Sequence, residues 1–403
     1  MKPAATSVGE PRGTYLLSLP WDLDAIGGIT QVVVGLYDGI EKDGRLVPRF
    51  HVASWGDIEP VEKTDAAGRS IIHLRVRGPF GRGSIVSNLL RYALALPGEF
   101  RRLRALVRRY AVEVVNCHYI GSAELTWVLA KALGVYRGKV ILSLHGLDIR
   151  NLAMLRGFRR ALWRWVLAHA DAVVACSDGL AAETMAEFRL PATKVVTIHN
   201  GVNSMRLVQM VADAPNSEQR SAGPSLLNLG TFEHKKGHDL LLRAFRKVVD
   251  SYPSAHLTIM GRRAESTDST LQLVQQLGLA EHTTIRIDVP HSVALRALQD
   301  SDAFVLSSRN EAFSVALLEA GALGKPIVAT DVCGVAELIQ DGITGIRVPP
   351  EDVDAMTRGI LRLLEDQASA AVFGLRLRDL VHSKFTLEEN CRNYLSLVGY
   401  QPR

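Results

Sequence analysis

The chain of 403 residues is long enough for two domains of ordinary size, each with its own core. With 47% apolar and 22% charged residues, it fits neither a disordered nor a fibrous class. Charge is uneven, with 26 basic against 18 acidic residues in 1–200 and 21 against 24 in the remainder. No stretch of about 18 uncharged apolar residues occurs, so no spanning helix is expected. The start, MKPAATSVGEPRG, has no apolar core of signal-peptide length. Cys117, Cys176, Cys333 and Cys391 are scattered without a C-x-x-C pair. They read as reduced thiols of a cytoplasmic protein, not as a disulfide or zinc framework.

In chain order, residues 16–19 read as the first strand, leading through Pro20 to Gly27-Gly28 and a helical pattern over 30–40. Glycines where a strand passes to a helix let the backbone approach a ligand. The pattern is not G-x-G-x-x-G, which argues against a dinucleotide fingerprint. Further strands read at 51–54, 71–76, 112–116, 140–143, 172–175 and 195–198, with helical patterns between most of them. That alternation is the mark of a doubly wound parallel sheet.

Two basic segments lie in this half. Arg101, Arg102, Arg104, Arg108 and Arg109 flank Phe100, Leu103, Leu106, Val107 and Tyr110; Arg156, Arg159, Arg160 and Arg164 accompany Leu155, Phe158, Leu162, Trp163, Trp165 and Val166. A basic amphipathic helix with tryptophans can dock on an anionic membrane. The bland alternative is a core-facing stripe with a solvated basic rim. No nucleic-acid-binding motif accompanies these residues, so no nucleic-acid partner is expected.

His145-Gly146 follows the strand at 140–143, at the edge where such folds bind ligands. His199-Asn200-Gly201 is a turn sequence. The chain from 206 to 224 is polar and Ser/Ala/Pro-bearing, which fits a surface linker. The α/β rhythm then restarts with a strand at 225–229, a loop from Gly230 to Gly237 and a helix over 239–249. Lys236, ahead of a helix at the carboxyl edge of a sheet, can reach a diphosphate. Strands at 257–261 and 285–288 follow.

The stretch 302–320 organises the rest. Ala303, Phe304, Val305 and Leu306 form the continuous apolar run of a buried parallel strand. Ser307 to Glu311 break it, and a helical pattern follows with Ser314 as the N-cap. A strand, a short loop and a helix N-terminus make an anion site. Glu311 stands ahead of the positive helix end and Glu319 about a turn and a half inside it. The set suits a sugar nucleotide: diphosphate on the amides, sugar hydroxyls on Glu311, ribose diol on Glu319.

The spacing Glu311 to Glu319, with Phe313 and Ser314 between, resembles the E-x7-E motif of the family 4 glycosyltransferases. The resemblance continues through Gly324-Lys325-Pro326, Asp331, Gly334, Glu337, Asp341-Gly342, Gly345 and Val348-Pro349-Pro350-Glu351-Asp352. It implies a GT-B fold: two Rossmann-like doubly wound domains facing each other across a cleft. The expected division is 1–203, a linker at 204–224, and a nucleotide-sugar domain at 225–385, with a terminal helix in 386–403 crossing back onto the first domain. It implies metal-independent transfer of a sugar, with retained configuration, from a UDP- or GDP-type donor to a hydroxyl, without a cofactor.

By the resemblance, Gly230, Lys236 and Gly237 match the family's G-R-L-x-x-x-K-G, while Thr231 stands where the family has arginine. Lys235, Arg262 or Arg263, after Gly261, could replace the missing cation. Glu311, Lys236 and His145 are the expected catalytic residues. Gly230, Thr231, Gly261, Arg262, Val289, Phe313, Ser314, Val315 and Glu319 are expected at the donor, and Gly27, Gly28, Asp148 and Asn200 on the acceptor side. Asp288, Cys333 and Ser314 replace commoner glycines. The basic first half favours a lipid-linked or growing surface glycan as acceptor, in bacterial polysaccharide synthesis at the inner membrane face. A 2-epimerase of sugar nucleotides, or a non-catalytic docking protein on the same fold, would share the architecture.

Overall fold

The computed structural model describes residues 13–23, 27–53, 56–81, 83–215 and 223–400. Ser54 of an expected strand, residues 216–222 of the expected linker and 401–403 of the expected terminal segment lie outside them, as do Asp24 to Ile26. The chain forms two units, residues 1–199 with 390–403 and residues 200–389.

In the first unit, eight strands are β1 (Thr14–Leu19), β2 (Val47–Ala53), β3 (Val61–Thr64), β4 (Ser70–Leu74), β5 (Val112–His118), β6 (Lys139–Leu144), β7 (Ala172–Ala175) and β8 (Val195–Thr197), in the order β3-β4-β2-β1-β5-β6-β7-β8. All pair in parallel except β3, which runs antiparallel to β4 along one edge. The sequence reading lacks β3, because its four residues are exposed and polar or isolated in pattern. The turn after it runs from Asp65 to Gly68: the Asp65 carboxylate accepts from the Ala67 and Arg69 amides at 2.9 and 2.8 Å, and Gly68 has φ +84°.

The second unit carries β9 (Ser225–Leu229), β10 (His256–Gly261), β11 (Thr283–Ile287), β12 (Ala303–Leu306), β13 (Ile327–Thr330) and β14 (Ile346–Val348), all parallel, in the order β11-β10-β9-β12-β13-β14. Strand order reverses between β9 and β12, the point at the carboxyl edge where sheets of this kind bind ligands. Phe245, Val248, Leu257, Ile259, Val305 and Val328 fill the core on one face of the sheet, where continuous apolar strands demand cover.

One expectation changes. The stretch expected as a linker begins with a helix, Ser204–Asp213: Asn203 caps it through the Arg206 amide, and Leu207 and Val211, four apart, are buried. This helix belongs to the second unit, and the division falls at His199/Asn200 instead of in the expected linker at 204–224. In the two basic segments the apolar stripe faces the core and most of the arginines stand outside it, the second of the two readings given above. Leu103, Leu106 and Tyr110 of the helix Ile85–Tyr110, and Trp163 and Val166 of the helix Gly157–His169, are all under 9% exposed. The outward apolar residues lie one segment earlier, at Val86, Leu90 and Leu94.

The terminal helix, Leu387–Leu397, sends Cys391, Tyr394 and Leu395 into the core of the first unit. The Tyr394 hydroxyl meets Ser143 Oγ at 3.0 Å; Ser143 donates to Asn116, which donates to the Tyr15 hydroxyl. This buried polar chain is closed at every member and so fixes where the helix docks.

His51 supplies a pH term. Its buried ring donates from Nε2 to the Leu74 carbonyl at 3.0 Å and accepts at Nδ1 from Ser18 Oγ at 2.8 Å. Burial lowers its pKa to about 4. The native ring therefore refuses a proton that the unfolded chain takes below about pH 6.5, so stability falls as pH drops from 6.5 toward 4. His51 alone should remove on the order of 3 kcal/mol over that span. Denaturant unfolding midpoints at pH 7 and pH 5 check this, and equal midpoints would contradict it.

Candidate functional site

In the second unit, the loops after β9 and β12 are fastened to each other. The Lys235 carbonyl accepts from the Arg309 amide at 2.8 Å, and the Lys236 carbonyl accepts from Ser307 Oγ at 2.9 Å. Arg309 reaches the His234 carbonyl at 2.9 Å and forms a two-pronged pair with Asp239 at 2.7 and 2.8 Å, while its Nε pairs with Glu351. Gly237 is at φ +64°, and a Cβ there would stand 2.1 Å from the Ser307 carbonyl oxygen. Only glycine satisfies both the left-handed backbone and that approach.

This fastening brings Lys236 and Glu311 together. The ammonium forms an ion pair with Glu311 Oε1, and Ser308 Oγ donates to the same oxygen at 2.9 Å. Both side chains are mostly buried, at 18% and 10% exposed. Beside them starts the helix Val315–Ala322, with Ser314 as N-cap accepting from the Leu317 amide at 3.4 Å. The loop before the helix rests on Gly334, where a Cβ would lie 2.0 Å from the Ala312 carbonyl oxygen. Cys333, half-buried, only precedes this point of contact.

Glu319 is buried in that helix and pairs with His291 Nε2 at 2.8 Å. Phe313 is buried, its ring against Phe385, so this residue can offer a ligand backbone and little side chain. Asn200, expected on the acceptor side, belongs to the second unit, where it is buried and donates to the Phe313 carbonyl at 3.3 Å. Its place makes it a support of the loop 310–314. The ends of β9 and β10 touch: a Cβ on Gly261 would stand 1.8 Å from the Gly230 oxygen. The Phe232 amide donates to the Arg262 carbonyl, which sets Arg262 beside Thr231. Asp288 adopts φ +55°, which explains how it occupies a glycine-like position; its neighbour Val289 is half-buried.

In the first unit, Gly27 and Gly28 open the helix Gly28–Asp43. His145, half-buried after β6, has Nε2 3.2 Å from Nδ1 of His118, the last residue of β5. Burial lowers both pKa values, so the pair consists of neutral rings, one donating and one accepting. Asp148 is buried and accepts from the His145 amide at 3.1 Å and the Ile149 amide at 2.9 Å. Burial raises its pKa to about 6 against the effect of those bonds. Asp148 thus holds the backbone of His145, and its carboxylate is engaged there. Tyr119, at φ +58°, sets its ring 4.9 Å from that of Trp21.

Sequence reasoning missed Ser308, His291 and His118. Each contacts an expected site residue, and only the two partners Ser308 and Glu311 are close in sequence. The polar run 307–311 could have pointed to Ser308.

Two family models match the chain. "Glycosyl transferases group 1" covers residues 213–378 and "Glycosyltransferase Family 4" covers residues 26–206. An N-acetyl-alpha-D-glucosaminyl L-malate synthase of Bacillus anthracis is 27% identical, over 75% of this chain and 78% of that protein. A phosphatidyl-myo-inositol mannosyltransferase of Mycolicibacterium smegmatis is 26% identical, over 90% and 88%. Among solved structures, sucrose-phosphate synthase of Thermosynechococcus elongatus aligns with TM-score 0.75 and 21% identity, covering 96% of this chain and 98% of that one. Anabaena HepE, solved in complex with UDP, aligns with TM-score 0.70 and 15% identity, over 95% and 99%. These likenesses show the GT-B fold.

Gly237 and Gly278 share φ +64°, but nothing lies within 4 Å of a Cβ at Gly278. Gly278→Ala should cost only backbone strain, about 1 kcal/mol. Gly237→Ala should cost roughly 2–4 kcal/mol, since the Ser307 carbonyl must also move. Urea denaturation of the two variants separates the terms; equal losses would mean that the close approach contributes nothing.

Proposed function

The chain belongs to the family 4 glycosyltransferases, and on that premise we propose that it transfers a sugar from a nucleoside diphosphate donor to a hydroxyl of a lipid-linked or growing surface glycan, with retained anomeric configuration. One observation carries the donor half of this reading: Lys236 and Glu311 meet at the carboxyl edge of β9 and β12, beside the capped N-terminus of the helix Val315–Ala322. Unshared amides and an ammonium there suit the negative charge that builds on a departing diphosphate. Glu311, anchored by Ser308 and Lys236, is placed to orient the sugar. These groups supply the electrostatics without a metal ion, so chelators should leave the rate unchanged.

Thr231 removes one expected cation, and the surroundings favour Arg262 as its replacement. Lys235 pairs with Glu233 at 2.5 Å and Arg263 with Asp268 at 3.2 Å. The Arg262 side chain is exposed and has no ion pair among the described residues. In the first unit, the neutral His145 is placed to position a hydroxyl or sugar oxygen, not to hold a charge.

Two observations support an acceptor at a membrane. The helix Ile85–Tyr110 turns Val86, Leu90 and Leu94, spaced four apart, outward at 75, 62 and 75% exposed. Arg101, Arg104, Arg108 and Arg109 continue along the same helix, also exposed. Apolar anchors beside a basic row suit an anionic lipid surface. No helix among the described residues is long and apolar enough to cross a bilayer.

Lys236→Met should lower kcat by about 10²–10³-fold, the scale of losing one fixed charge-stabilising group. Arg262→Ala should mainly raise the donor KM, by roughly tenfold, while the corresponding Lys235 variant stays near wild type. Release of UDP or GDP from a panel of sugar donors, with and without acceptor, measures all three. Release that needs no acceptor, or a product of inverted configuration, would overturn the assignment.

Sedimentation with vesicles tests the acceptor side. A Leu90→Glu, Leu94→Glu double variant should lose binding to anionic vesicles and keep its melting temperature. Wild-type protein that ignores anionic vesicles would remove the membrane part of the reading.

A further inference from the structure

His238 is the first residue of the helix His238–Ser251 and is 2% exposed, yet neither ring nitrogen has a hydrogen-bond partner among the described residues. A neutral imidazole carries one donor and one acceptor, and burying both unmet is a cost that folded proteins avoid. The ring is held on one side by Phe232, with centroids 5.0 Å apart. Its Nε2 points toward Gly230: a Cβ built there would lie 3.6 Å from Nε2 and 3.4 Å from Cγ and Cδ of Lys236. The missing side chain of Gly230 thus leaves a niche between Lys236 and the unmet ring nitrogen. The niche sits at the N-terminus of a helix of 14 residues, where the local field favours an anion.

We infer that His238 is a donor-binding residue whose Nε2–H meets an anionic oxygen of the diphosphate seated over Gly230. The inference rests on the donor reading given above and adds a ligand contact that lies one helical position past Lys236-Gly237. Burial, and then the Lys236 ammonium, hold the ring neutral, with its pKa lowered to about 4. It therefore acts as a directional hydrogen-bond donor, and Lys236 supplies the charge. That division explains how a second basic side chain fits within a few ångströms of a lysine without like-charge repulsion. Asp239, the next residue, is engaged by Arg309.

The experiment is calorimetric titration of UDP, GDP and ADP, each beside its monophosphate, into wild-type protein, His238→Phe and His238→Gln. Phenylalanine keeps the ring and loses the N–H; the glutamine amide reaches about as far as Nε2. Wild-type protein should bind one diphosphate more tightly than its monophosphate. His238→Phe should lose about tenfold or more of the diphosphate affinity with the monophosphate little changed, and His238→Gln should recover most of it. Diphosphate binding by His238→Phe equal to wild type overturns the inference and leaves the donor reading standing. Wild-type protein that binds no diphosphate overturns both. Should His238→Phe fail to fold, ¹⁵N-histidine spectra of the wild type decide: the His238 Nε2 resonance, assigned by its loss in His238→Gln, must move when UDP or GDP is added, and an unmoved resonance overturns the contact.

Discussion

The geometry of the second unit depends on one constraint, the fastening of the loop after β9 to the loop after β12. Strand order reverses between these strands, so their loops diverge unless something holds them. Here the Lys235 and Lys236 carbonyls, the Gly237 approach and the Arg309–Asp239 pair do so. The Lys236–Glu311 pair is a result of that fastening. A lysine and a carboxylate 75 positions apart share a mostly buried place because these four contacts put them there. A buried ion pair contributes little net stability by itself, since desolvation offsets attraction. Its value lies in holding each charge in one orientation before a ligand arrives.

The same logic separates charged groups that serve the framework from those that remain available. Arg309 has three acceptors and holds loops; Asp148 is saturated by backbone amides and holds His145; Asn200 is spent on the Phe313 carbonyl. What these supports hold in place is a small set: the mostly buried ammonium and carboxylate of Lys236 and Glu311, and the amides at the head of the helix Val315–Ala322; Arg262 is exposed. The polar chain from Tyr15 through Asn116 and Ser143 to Tyr394 plays the supporting part in the first unit.

Much of the fold was legible because parallel strands covered on both faces are written as unbroken apolar runs, as at Ala303–Leu306 and Ala172–Ala175. The edge strand Val61–Thr64 was not, since all four of its residues are exposed and follow no burial pattern. The helix Ser204–Asp213 was hidden because only Leu207 and Val211 are buried, while Met205 and Val208 face out. At the site, Glu311, Ser314 and Glu319 could be read together because one helix turn and one loop fix their spacing. The partners His291 for Glu319 and His118 for His145 come from a helix start and a strand end 28 and 27 positions away, and spacing carries no record of such meetings. The basic segments stayed open to two readings for a physical reason: arginines border a buried face and an exposed one in the same way.

The return of the terminal helix has a consequence for how the polypeptide acquires its structure. Tyr394 closes the hydrogen-bonded chain beneath β1, β5 and β6, and Cys391 packs where a Cβ on Gly39 would lie 2.9 Å from its own Cβ. During synthesis, the first 199 residues emerge with that slot unfilled, while residues 200–389 can already complete a core of their own. The segment made first is therefore the one finished last, and a nascent chain stalled before residue 390 would present a mature second unit attached to an open first one.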